Sequence, residues 1–313
     1  MKKTLVALAV MAFAGSANAG IEIFNKDGVS VNLKGDIEVV YVKGTAKDSE
    51  LTQEIQDADF GFDVRYAVND DLQFGGYWEF DGASKDVTLG NDSITKVGDA
   101  YVALYSKSLG SFKFGRTCGA LDDAGIGSDY QFGVNAFFQN DSDFCGDEAI
   151  RYDIDKGNFY ATAAIIQDKK DKNKLGVDGS YFDAKAGYRV ADFDFTAYFG
   201  SADLAKTAQE ETLLGLEGRF AGIENVELAV AYYKLDGDIT ETDTIALTAT
   251  YSLDKLKLAA GFSTTDAGAD DVANYYVNAG YGIAPSTTAY VELGGNDADN
   301  SELGLAFGVK ASF

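Results

Sequence analysis

Val29, Val31, Leu33, Ile37, Val39 and Tyr41 alternate with Ser30, Asn32, Lys34, Asp36 and Glu38, and the chain closes the same way, with Leu303, Leu305, Phe307, Val309, Ala311 and the terminal Phe313 on one face. A period of two means extended chain with one apolar and one polar side. The pattern recurs at 60–68 (Phe60, Phe62, Val64, Tyr66, Val68) and 72–80 (Leu72, Phe74, Trp78, Phe80), joined by the turn Asn69-Asp70-Asp71. Further strands are predicted at 97–105, 111–117, 149–154, 158–166, 180–190, 193–200, 212–220, 226–234, 243–251, 255–262, 273–282, 287–294 and 302–313. That makes about sixteen, the strand near 97–105 being apolar on both faces so that its register is open.

The connections alternate in length. Short ones fall at 69–71, 106–110, 155–157, 191–192, 221–225, 252–254 and 283–286, and longer polar ones at 42–59, 81–96, 118–148, 167–179, 201–211, 235–242, 263–272 and 295–301. Short turns at one end and long loops at the other describe an all-β, 16-stranded antiparallel up-and-down transmembrane β-barrel. A soluble sandwich shares the alternation, but the even strand count, the aromatic residues near strand ends and an export signal favour the barrel. Sixteen strands enclose a lumen too wide for side chains to fill, leaving a water channel unless a loop enters it. The third long loop, about 118–148, is the candidate.

The export signal is Met1-Lys2-Lys3, the apolar run Leu5 to Ala14 and the small-x-small site Ala17-Asn18-Ala19. Residues 1–19 therefore read as a signal peptide and 20–313 as one barrel; the apolar run is too short for a membrane anchor. The chain has 26 basic and 50 acidic residues and a net charge of −24. That excludes nucleic acid as a partner and suits a pore that gathers cations, or a surface bridged by divalent cations to lipid phosphates. Histidine is absent, which removes hydrolases needing an imidazole base, so no catalytic residue is assigned and no enzyme is expected. Cys118 and Cys145 are the only cysteines. In an oxidising compartment they pair by default, worth about 3 to 4 kcal/mol in the chain-entropy model, with two buried thiols as the alternative. No cofactor or metal is assigned, because the acidic loops lack the spacing of a calcium loop.

Ala100 to Arg116, AYVALYSKSLGSFKFGR, resembles the strand, turn and strand that precede the constriction loop of Gram-negative general outer-membrane porins. Asn32-Leu33-Lys34-Gly35, Phe60-Gly61-Phe62, Ile150-Arg151-Tyr152-Asp153 and Phe313 extend the resemblance, and the style of chain start and loops is similar to the vibrio-like marine type. It implies a homotrimeric pore in the outer membrane, narrowed by an inward-folded third loop whose acidic residues face basic residues of the wall. Here the loop offers Asp122, Asp123, Asp129, Asp141, Asp143, Asp147 and Glu148, and the wall Arg116 and Arg151.

The chain departs from the family pattern at Asp36 and Asp59, where basic residues are common, and at Cys145 at the end of the loop. Lys34, Asp63, Arg65, Lys185 and Arg189 fall on the polar parity and complete the expected pore lining. The expected function is a passive diffusion channel for small hydrophilic solutes and ions, preferring cations, with outer-membrane lipid and lipopolysaccharide as surroundings. A carbohydrate-type selective channel, with Trp78 and other aromatics as a slide, and a non-conducting adhesin or structural barrel are the alternatives.

Overall fold

Alternating sequence becomes a barrel because each strand can hide its backbone polar groups only by pairing on both sides, and the apolar face tolerates no water. The structure, a computed structural model, describes residues 20–84, 96–133, 144–172, 175–268 and 271–313. Its strands are β1 (Ile21–Lys26), β2 (Val29–Lys43), β3 (Thr52–Ala67), β4 (Leu72–Ser84), β5 (Lys96–Ser106), β6 (Gly110–Cys118), β7 (Cys145–Asp155), β8 (Phe159–Gln167) and β9 (Ser180–Val190). They continue with β10 (Phe193–Leu204), β11 (Gln209–Ile223), β12 (Val226–Gly237), β13 (Glu241–Leu253), β14 (Leu256–Asp266), β15 (Asp271–Ala284), β16 (Thr287–Asn296) and β17 (Gly304–Ser312).

From β2 to β17 every strand pairs antiparallel with the next, and β17 closes on β2 from Leu305 opposite Lys43 to Ser312 opposite Asp36. These are the sixteen strands of the alternation, most of them longer than the sequence suggested, because each runs beyond its apolar segment into the polar loop end. The addition is β1. It pairs with β2 from Ile21 opposite Leu33 to Lys26 opposite Val29 through the tight turn Asp27-Gly28, both residues at positive φ (54° and 78°) as a two-residue hairpin demands. Gly35 and Phe313 exchange backbone hydrogen bonds at 2.9 and 2.8 Å. The N-terminal strand thus carries on along the edge of β2 where the C-terminal one stops.

The outer face is apolar: Phe60, Trp78, Val102, Phe114, Phe195, Leu216 and Val277 are all exposed. On β5 the ambiguity resolves, with Val97, Val102 and Leu104 exposed outward and Ala103 buried within; a bulge between Trp78 and Phe80 of β4 resets the pairing. The buried apolar residues lie inside the barrel, where loops cover the wall. Leu121 and Ile126 pack on Leu213, Ala229, Ala231, Tyr233, Leu235 and Ala246. Tyr130 and Phe132 pack on Val40, Tyr290 and Ala306. Ile166, Leu175, Tyr181 and Leu204 form a third cluster with Phe144. A fully buried Leu contributes about 1.5 to 3 kcal/mol, so these lumen residues hold the loops down.

Candidate functional site

The chain leaves β6 at Cys118, which lies opposite Cys145 of β7 and is disulfide-bonded to it. Residues 119–133 then run along the inner wall rather than out into solvent. A single 3-10 turn, Leu121–Asp123, is followed by extended chain. Wall side chains meet its backbone at each step. Leu121 N–H donates to Asp183 (2.9 Å), Gly125 N–H to Glu217 (2.7 Å) and Ser128 N–H to the Tyr276 hydroxyl (2.8 Å). Thr248 donates to the Ile126 carbonyl (2.9 Å) and Asn278 to that of Ser128 (2.8 Å). The N–H groups of Tyr130, Gln131 and Phe132 all donate to Glu292, each at 2.7 Å. Among the described residues the loop therefore follows the wall from β9 round to β17 and reaches β2, where Phe132 packs on Val40 and Gln131 donates to Glu38.

Within the lumen, basic side chains alternate with carboxylates. Asp63 pairs with Lys34 and Arg65, both at 3.0 Å; Asp153 with Arg151 (2.8 Å) and Lys113 (3.4 Å); Arg189 with Asp155 (3.0 Å) and Asp194 (3.4 Å); and Arg219 with Glu217 (2.9 Å). Members of three pairs sit two residues apart on one strand, the spacing that puts both on the same face. From the loop, Asp123 reaches both Arg151 (2.8 Å) and Lys185 (2.7 Å). Arg65 lies over the Tyr105 ring and Arg189 over that of Tyr160, each 4.1 Å from the centroid. A cavity of about 580 Å³ opens here, lined by Asp123, Arg151, Lys185, Arg189 and Tyr160 among others.

The first wall strands carry the opposite charge. Asp36 of β2 lies opposite Asp59 of β3, which lies opposite Asp81 of β4. Asp36, Asp57 and Asp59 bring carboxylate oxygens within 4.8 Å of one another, the donor set a hard divalent cation would use. The Lys310 ammonium already reaches Asp36 (3.1 Å), Glu38 (3.5 Å) and Asp57 (3.8 Å). Asp59, Glu79, Asp81 and Asp99 have no ion pair among the described residues; Glu79 accepts from the Tyr77 hydroxyl and from Asp99 N–H.

Of the residues expected in the pore, Lys34, Asp36, Asp59, Asp63, Arg65, Asp123, Arg151, Lys185 and Arg189 meet in this lumen, and Asp122 is exposed beside Asp123. Crowding by surrounding wall and loop atoms, which thins the water around its exposed carboxyl, and then the neighbouring Asp123 charge raise the pKa of Asp122; the same crowding raises that of Asp129. Arg116 was expected on the pore wall but continues the outward row of Phe112 and Phe114. It pairs with exposed Asp147 at 2.7 Å, since the period of two that exposes Phe112 and Phe114 sets it outward and leaves Thr117 buried on the inner face. Glu148 accepts from Lys169 N–H of the following loop. Asp141 and Asp143 lie outside the described residues.

The wall carboxylates Asp183, Glu217 and Glu292, together with Glu38 and Lys310, were not singled out from the sequence. A signal was available. Leu213, Tyr233, Leu235 and Ala246 are apolar on the inward parity, and strands apolar on both faces must be covered on both.

A family model described as Gram-negative porin matches residues 4–301. Porin-like protein H of Photobacterium profundum is 29% identical, the match covering 100% of both chains. Outer membrane porin PhoE of Escherichia coli is 32% identical over 45% of this chain and 40% of its own. Among solved structures, the loop L8 deletion mutant of OmpT from Vibrio cholerae superposes with a TM-score of 0.77 at 20% identity, covering 92% of this chain and 100% of that one. OmpT has also been determined in a trimer form, with a TM-score of 0.74 at 19% identity, covering 92% of this chain and 100% of that one.

Proposed function

The chain belongs to the Gram-negative porin family of integral outer-membrane diffusion channels, and from that premise we propose that it is a homotrimeric, cation-preferring pore for small hydrophilic solutes. One observation carries the preference. Among the described residues, Lys34, Arg65, Lys113, Arg151, Lys185, Arg189 and Arg219 each have a carboxylate partner, while Asp59, Glu79, Asp81 and Asp99 have no cation. Of the remaining lumen bases, Lys310 is shared among three carboxylates and Lys257 bonds Ser128. Unbalanced negative charge in a narrow, low-dielectric surround concentrates counter-ions.

The carbohydrate-slide alternative fits less well. Trp78 is 53% exposed on the outer surface, and Tyr105 and Tyr160 have cations on their rings where a sugar would stack. A non-conducting barrel fits poorly with a loop drawn to one side of the wall. Lipopolysaccharide bridged by divalent cations is supported by carboxylates set opposite one another at the loop ends of β10 to β15, Asp203 with Glu210, Asp236 with Glu241 and Asp266 with Asp271. Like charges so placed repel unless counter-ions intervene. Residues 1–19 would serve as the export signal. The test is reversal potential across planar bilayers in a salt gradient: the expected sign is that of a cation-preferring pore, weakening as salt rises. An anion-preferring sign, or absence of conductance from folded protein, overturns the reading.

A further inference from the structure

The root of the entering loop brings together two sulfur atoms and a carboxylate. Cys118 and Cys145 face each other at the end of the β6–β7 ladder, joined by the disulfide, and the 3-10 turn Leu121–Asp123 folds the chain back so that the Asp122 carboxylate lies 3.9 Å from the Cys145 sulfur. The two sulfurs and a carboxylate oxygen all fall within 4.8 Å of one another. Asp123 is taken by Arg151 and Lys185, whereas Asp122 has no ion pair among the described residues. The disulfide is not alone in holding these groups together. Gly119 N–H donates to the Phe144 carbonyl (2.7 Å), and Arg151 donates to the carbonyls of Cys118 (3.1 Å) and Gly119 (2.8 Å). With its two ends fastened in this way, the loop root stays closed when the S–S bond is cut, and the three side chains stay in reach of one another. Both cysteines are half-buried, and Cys145 lines a cavity of about 50 Å³ with Arg116, Lys170 and Lys172, which gives a small ligand room beside cations that favour the thiolate.

We propose that Cys118, Cys145 and Asp122 form, once the disulfide is reduced, a binding site for a soft divalent metal ion such as Zn²⁺ or Cd²⁺. Two equivalents of a small thiol reduce the bond: they give up two electrons and two protons in becoming a disulfide, and the cysteines become two thiols. The metal then displaces both thiol protons and is held by two thiolates and an Asp122 oxygen, with water in the fourth position, the three-ligand arrangement of an open tetrahedral site. The thiolates set the choice of ion, since Mg²⁺ and Ca²⁺ take oxygen ligands. A disulfide supplies no thiolate, so the site exists only in the reduced protein. An ion held there lies beside Asp123 and adds positive charge to the loop that enters the lumen. The inference does not depend on the channel reading above.

Titrating Cd²⁺ into the folded protein in detergent tests this. The disulfide is first reduced with a water-soluble phosphine, which takes the oxygen of a water molecule to become its oxide, and the protein is desalted without air. The reduced parent is expected to take up one Cd²⁺ per chain with an ultraviolet thiolate-to-cadmium charge-transfer band that excess Ca²⁺ does not remove, and the oxidised parent to show no band. Asp122→Asn is expected to keep the band and to weaken binding at least about tenfold, the loss that follows removal even of a group supporting a metal ligand. Cys145→Ser is expected to lose the band; should that variant fail to fold, the oxidised parent is the control without thiols. A disulfide that resists the phosphine in the folded protein, a reduced parent with two titratable thiols and no band, or an Asp122→Asn variant that binds as the parent does each overturns the site.

Discussion

Replacing Lys310 with Met removes the ammonium shared by Asp36, Glu38 and Asp57 at 3.1 to 3.8 Å, and leaves these three carboxylates with no ion-pair partner among the described residues. The size of the effect follows from Coulomb's law. An ion passing roughly 5 Å from one additional unbalanced charge in water gains or loses about 0.8 kcal/mol before screening. Screening with a Debye length of about 8 Å at 0.15 M roughly halves this, enriching cations about twofold and depleting anions by about the same factor. The cation-to-anion permeability ratio is therefore expected to rise about fourfold at 0.15 M, about tenfold at 0.01 M, where the Debye length is about 30 Å, and less than about twofold at 1 M. Reversal potentials of Lys310→Met and the parent at the three salt concentrations measure it, with Lys310→Arg as a charge-retaining control expected to match the parent. A Lys310→Met pore that inserts and conducts but keeps or lowers the parent's ratio at 0.01 M refutes the view that this wall sets the ion preference.

Two further outcomes follow from the same geometry. Because crowding by surrounding atoms and the Asp123 charge raise the Asp122 pKa, its negative charge is lost on acidification at a pH where an ordinary carboxylate, with a pKa of about 3.9, stays ionised; cation preference should start to fall there, and the reversal-potential titration of Asp122→Asn should lack that step. Phe307→Lys puts a charge on the lipid face beside Tyr41, whose ring stacks on Phe307 at 5.2 Å. It is expected to cost about 2 to 4 kcal/mol if near the bilayer midplane and less toward the interface, read as reduced yield of heat-modifiable folded protein, whereas the lumen change Asp59→Asn leaves that yield unchanged.

The barrel is legible in the chain because its determinants are local. Alternation over ten residues orients every side chain of a strand, and the length of a connection decides which end it belongs to, so strands such as 180–190 emerge with the bounds the structure has. Local pattern fails on β5, apolar on both faces, where the register depends on a bulge in the neighbouring β4. At Arg116 the alternation holds and the resemblance misleads: its neighbourhood matches that of a wall residue, but the period of two that exposes Phe112 and Phe114 sets its side chain outward.

The sequence by itself determined the sixteen-stranded closure, the acidity of the first wall strands and the identity of the loop that enters the lumen. Only the tertiary structure decided which wall that loop lies against and which charges remain unbalanced. Glu292 meets residues about 160 positions away, and Lys310 neutralises carboxylates from the opposite end of the chain. Nothing in the spacing of residues along the chain encodes such pairings. They arise because ring closure sets β17 beside β2, and because a buried carboxylate must find donors wherever the fold brings them.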